Sequence, residues 1–234
     1  MATLTKIVSA INKIVDDMAY TDDMVIDLIN NALLNIAAGI RMPDGHITNP
    51  LPELYTYSTV ASGSLQYVAL PTDYHRLVFN ILDETLYTIP PVQGGDYYSF
   101  KLFLKTLTYA DMSEVGSIHH VCIKGSKLYY QGIPNSPTIL GLHYYKKPDI
   151  LSLDGDEPSC LPGHLQLDLL KHYVCKEIYG EKLEDGVDNA GVGVKYHTNK
   201  FFESMTNLID FIGIDSGPTY YGSDGFVDMG VCDG

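Results

Sequence analysis

The sequence predicts an α+β fold: an antiparallel helical bundle, with two N-terminal and two C-terminal helices, and an inserted antiparallel β-sandwich or barrel-like domain. Three observations predict it. Helical spacing fills the first forty residues and returns after Pro162. Between these stretches, from about residue 54 to 147, lie short runs rich in Tyr, Val, Ile, Thr and Leu, which read as strands. Tyr144-Tyr145-Lys146-Lys147-Pro148 then closes the β block, since proline cannot extend a ladder and biases Lys147 toward extended backbone. The economical arrangement packs the four helices together. Residues 1–42 and 158–213 form the bundle, 43–157 the inserted β domain and 214–234 an extended C-terminal tail.

Leu4, Ile7, Val8, Ile11, Ile14, Val15 and Met18 step by three and four, which is one face of a helix with Thr3 as its cap. Tyr20-Thr21-Asp22 breaks it. Met24, Val25, Leu28, Ile29, Ala32, Leu33, Ile36 and Ala37 repeat the pattern, with Thr21 or Asp22 as cap and Gly39 as stop. The short link makes the pair antiparallel neighbours. Met42-Pro43-Asp44-Gly45, Asn49-Pro50 and Leu51-Pro52 are turn chemistry.

Tyr55–Val60, Leu65–Leu70 and Leu77–Leu82 are strand runs. Val121–Tyr130 is a hairpin turning at Gly125-Ser126, and Thr138–Tyr145 completes a meander. Ser99–Leu107 fits a strand or a short helix. The acidic linker Asp154-Gly155-Asp156-Glu157-Pro158 leads to a helical stripe of Leu167, Leu170, Val174 and Ile178, which Gly180 ends. A last helix, from Ala190, carries Phe201, Phe202, Met205, Leu208, Ile209 and Ile212 on one face.

Composition excludes several function classes. The 234 residues carry 15 basic and 29 acidic side chains, a net charge of −14, and only Arg41 and Arg76 as arginines. Phosphate binding relies on clustered Lys and Arg, and Lys146-Lys147 is the only adjacent basic pair, so tight nucleic-acid binding is not expected. Cys122, Cys160, Cys175 and Cys232 form no Cys-x-x-Cys pair, which fits a reducing compartment. No run of 18 uncharged apolar residues spans a membrane, and the N-terminus lacks a signal h-region. The expected compartment of synthesis and assembly is a cytoplasm.

The motifs that carry chemistry are missing or weak. Gly191-Val192-Gly193-Val194-Lys195 lacks a third glycine and follows no strand. There is no His-Glu-x-x-His and no Gly-x-Ser-x-Gly, so no catalytic residue is assigned and no enzyme is expected. His119 and His120 face opposite ways on a strand. His172 and Cys175, at i and i+3, lack a second ligand pair, so they read as core and no metal or cofactor is assigned. His164 and Asp168 read as a surface pair. Asp154, Asp156 and Glu157 lack the glycine and distant Glu of a calcium loop. The 18 tyrosines suit a half-buried sheet, a protein interface or carbohydrate stacking, and these readings stay open. The tail holds five glycines, four aspartates and no Lys or Arg, with isolated apolar residues Tyr220, Tyr221, Phe226, Val227 and Met229. Such a segment buries too little alone to offset its ordering entropy, and packing on its own chain or docking on a partner would both hold it.

The order of these motifs resembles phage head-to-tail (portal) adaptor, or head completion, proteins. The matching stretches are Leu28-Ile29-Asn30-Asn31-Ala32-Leu33-Leu34-Asn35-Ile36-Ala37, Leu70-Pro71-Thr72-Asp73-Tyr74, Leu128-Tyr129-Tyr130, the strand ending Tyr144-Tyr145-Lys146-Lys147-Pro148, and the helix pair after it. The resemblance covers roughly residues 20–213; the insert around 84–116 and the Gly/Asp tail depart from it. It implies a structural virion protein at the head–tail neck, a homo-oligomeric ring of about twelve copies, with portal and further neck or tail proteins as partners and DNA in transit. It makes Leu28, Leu33, Phe201, Phe202 and Met205 candidates for subunit contacts and Tyr220, Tyr221, Phe226, Val227 and Met229 pegs of a tail anchor. An acidic lumen would let DNA pass without sticking. The alternative is another tail or baseplate component that binds protein or glycan through the Tyr-rich β domain.

Overall fold

The computed structural model describes residues 1–92, 96–106 and 115–212. Among them the order is α1 (Leu4–Val15), α2 (Asp22–Ala38), a 3-10 turn (Pro52–Leu54), β1 (Tyr55–Ala61), β2 (Tyr67–Ala69), β3 (Tyr74–Leu82), α3 (Phe100–Thr106), β4 (His120–Lys124), β5 (Lys127–Gln131), β6 (Ile139–Lys146), α4 (Gln166–Glu184) and α5 (Ala190–Ile212). The class is mixed α+β. The described chain falls into two compact units: Met1–Tyr55 together with the chain from Tyr145 on, and Thr56–Tyr144.

In the helical unit α4 packs against α1, α2 and α5, and α1 against α2. The buried stripes are those the spacing predicts, including Ile7 and Ile11 on α1, Ile29 and Ile36 on α2, Leu170, Val174 and Ile178 on α4, and Phe201 and Leu208 on α5. Each such side chain contributes roughly 1.5–3 kcal/mol on burial, against about 1–2 kcal/mol per residue of backbone ordering. The helices therefore depend on one another.

The termini of the helices differ from the sequence reading in informative ways. Thr3 occupies the N-cap position of α1 but its hydroxyl makes no cap bond. The acidic linker does that work instead: the Leu4 and Thr5 amides donate to the Asp156 and Asp154 carbonyls at 2.8 and 3.4 Å. Buried Gln166 adds a clamp, accepting from the Ala2 amide at 2.8 Å and donating to the Pro158 and Leu161 carbonyls. Asn30 exchanges two hydrogen bonds with the Leu151 backbone. Asp16 turns left-handed (φ 42) and ends α1, so Met18 leaves the apolar stripe and is fully exposed. Thr21 caps α2 as expected, and Gly39 stops it at φ 94. Gly180 does not stop α4. The helix runs on to Glu184, because Glu181 accepts from the Tyr20 hydroxyl at 3.0 Å and Lys182 pairs with Asp17 at 3.0 Å. Gly193 leaves room for the Tyr179 ring, which a Cβ would approach to 2.7 Å.

The other unit holds two three-stranded antiparallel sheets, ordered β1-β6-β3 and β2-β5-β4. The hairpin at Gly125-Ser126 forms as predicted, with Gly125 at φ 60, as a two-residue turn needs. The expected meander does not. β6 leaves its neighbour β5 and pairs with β1 and β3, since Leu140, Leu142 and Tyr144 bury in one core with Val78, Ile81, Val121 and Leu128. Ser99 onward resolves as a helix: α3 sets Phe103 beside Val92 and Cys122.

Candidate functional site

The described residues show two open grooves on the helical unit, the first apolar and the second mixed. The first lies where α5 ends. Residues 40–48 form a small hairpin: Thr48 and Ile40 exchange backbone and hydroxyl bonds of 2.8–2.9 Å, and Gly45 turns the chain at φ 94. This sets Ile47, Thr48 and Asn49 opposite Leu208, Ile209 and Ile212 of α5, with Ile36 and Leu51 between. The groove measures about 310 Å³. The Pro-Asp-Gly turn signal was visible in sequence; the groove it completes was not.

The second feature joins the α1–α2 corner to the end of α4. Tyr20, Met24, Asp27, Leu28 and Glu181 line a groove of about 210 Å³. Met24 sits on the predicted α2 face yet is half exposed. The Tyr20 phenol is pushed up to about 12, first by burial and then by the hydrogen bond and charge of Glu181, with Asp17 and Asp185 adding to it. Asp27 and Glu181 give the corner two exposed carboxylates, and the Lys182 ammonium lies 5.6 Å from the Tyr20 ring.

The interface candidates separate by burial. Leu33, Phe201 and Met205 are each about 1% exposed and belong to the core of their own chain. Leu28 and Phe202 are half-buried. Tyr220, Tyr221, Phe226, Val227, Met229 and Cys232 lie outside the described residues. The tyrosines of the β block are mostly structural. The Tyr130 hydroxyl donates to the Leu65 carbonyl and accepts from the Gly63 amide, Tyr144 donates to Asp73 at 2.6 Å, and Tyr97 to the Ile89 carbonyl at 2.8 Å. Tyr55, Tyr57 and Tyr87 remain exposed.

Among the described residues no group of three or more metal-ligating side chains converges. His172 faces His197 across α4 and α5, Nδ1 to Nδ1 at 2.9 Å, with Tyr179 stacked on His197. Sequence reasoning missed this pair, because the two residues stand 25 apart on different helices. His164 does not pair with Asp168: Lys171 does, at 2.6 Å, and His164 rests edge-on against Phe211. The thiols of Cys122, Cys160 and Cys175 are buried, and burial raises them to about 11, 11 and 12. No described helix is long and apolar enough to cross a membrane.

Compared with known proteins, the chain matches no curated protein. The family model described as SU10 adaptor protein matches residues 2–220.

Proposed function

This chain belongs to the SU10 adaptor protein family, a family of phage structural adaptors that work with other head and tail proteins in the virion, and from that premise we propose that it forms a closed ring between portal and tail through which DNA passes. The observation that carries the proposal is the family match, which spans both units and reaches into the tail. Closed rings arise when one protomer's surface meets a different surface of the next and the rotation closes. The helical unit offers such surfaces. Leu28 and Phe202, half-buried, are the subunit-contact candidates, while Leu33, Phe201 and Met205 hold their helices from beneath. The segment 214–234 serves as the portal anchor, with Tyr220, Tyr221, Phe226, Val227 and Met229 as its apolar pegs. A net charge of −14 keeps the lumen from holding DNA.

Electron microscopy of the purified chain, alone and with portal, tests this reading. A closed ring of about a dozen copies is expected. A trimer would point instead to a fibre or baseplate part. A chain ending at Ile212 should form the same ring but lose portal docking. Undiminished docking by the truncated chain rules out the anchor and leaves the ring untouched.

A further inference from the structure

The corner groove lined by Tyr20, Met24, Asp27, Leu28 and Glu181 has the chemistry of a lysine receptor. Its apolar and aromatic members can take an aliphatic stem, and its two exposed carboxylates can take the ammonium at the end. Asp17 pairs with Lys182, whose ammonium lies 5.6 Å from the Tyr20 ring, and Glu181 accepts from the Tyr20 hydroxyl through one oxygen, which leaves its other oxygen and the Asp27 carboxylate for an incoming ammonium.

The chain carries the complementary element itself. Lys124 and Lys127 are direct cross-strand partners on either side of the Gly125-Ser126 turn. Like charges opposite each other in a ladder repel. Neither lysine has an ion-pair partner among the described residues. Each lies over a ring instead, Lys124 over Phe100 at 4.4 Å and Lys127 over Tyr67 at 3.9 Å. Held by rings rather than by carboxylates, the two ammonium groups bring positive charge to a hairpin tip in a chain with 29 acidic and 15 basic residues.

We infer that the Lys124–Lys127 turn of one copy seats in the Tyr20–Glu181 corner groove of the next copy. The two surfaces differ, so the contact is heterologous, which is the type that builds rings. The inference rests on the ring reading, and it names the charged contact that sets the spacing between protomers. Complementary charge would also speed encounter and exclude misaligned copies.

Charge exchange on the full-length protein tests it, with mass photometry as the readout and circular dichroism as the folding control. K124E/K127E and, separately, D27K/E181K should each lower the ring fraction about tenfold or more at low salt. The combined four-residue exchange should restore the ring, because it rebuilds the pairs with reversed sign. The wild-type ring fraction should fall as salt rises. A K124E/K127E protein that forms rings as the wild type does overturns the contact and leaves the ring reading standing. Loss of the ring with no rescue by the combined exchange also overturns it. So does an intact K124E/K127E ring that retains short duplex DNA less well than the wild type, since the hairpin then serves nucleic acid. A wild-type chain that stays monomeric overturns the ring reading and this contact with it.

Discussion

Gly132 shows how little room single residues have in the β unit. It follows β5 with φ 84, and a Cβ there would sit 2.2 Å from the Ser117 carbonyl oxygen and 3.0 Å from its carbon. Backbone cannot rotate aside as a side-chain tip can. Gly132→Ala should therefore destabilise the protein by about 2–4 kcal/mol, read as a lower urea midpoint with an unchanged slope. Gly125 is the contrast. Its φ is also positive, at 60, but a Cβ would meet nothing within 4 Å. Only the left-handed backbone is then strained, so Gly125→Ala should cost about 1–2 kcal/mol and Gly125→Asn less. Gln166 belongs to the same scale: one buried amide satisfies three backbone groups from two segments, which is why a polar residue is buried at the start of α4.

At the scale of elements, the α4–α5 pair carries a titratable link. His172 and His197 share one hydrogen between their Nδ1 atoms, so at least one ring must be neutral. Burial lowers both, and takes His172 to about 4, with Lys171 and Lys200 adding to the effect and Asp168 opposing it. The folded state thus holds fewer protons than the unfolded chain between about pH 4 and 6.5. Stability from this pair is complete above 6.5 and is lost as pH falls toward 4. After allowance for partial solvent screening, the loss should be on the order of 1–2 kcal/mol. Urea unfolding at a series of pH values should show it, and His172→Phe should flatten that slope. Asp156, held below 3.8 chiefly by the amides of Ser152 and Leu153, acts in a separate and more acidic window.

For the whole molecule, charge is the governing property. A chain at −14 with 15 basic residues has too few phosphate contacts to hold a duplex through counterion release. Fluorescence anisotropy should show no retention of short duplex DNA even at low salt. Salt-sensitive binding would contradict a repelling lumen. The same charge gives self-association a problem, since copies repel. A ring needs local complementarity to overcome that repulsion, and the lysine hairpin and acidic corner are the pair inferred to supply it.

The sequence by itself determined the α+β class, the two helical stretches, the hairpin at Gly125-Ser126 and the general resemblance to adaptors. These are local properties: spacing, turn residues and charge act within a few residues of one another. Where local and non-local forces competed, the sequence misled. Gly180 looks like a stop, yet contacts from Tyr20 and Asp17 hold the extra turn. Met18 continues an apolar stripe, yet Asp16 turns it to solvent. β6 follows β5 in the chain, yet joins the other sheet because its apolar face fits that core. The interface candidates divided for the same reason: periodicity identifies an apolar face but not what covers it. Only the tertiary structure decided that Leu33, Phe201 and Met205 are covered by their own chain. Only it brought Tyr20, Asp27 and Glu181 into one groove, since burial and charge proximity are properties of packed neighbours.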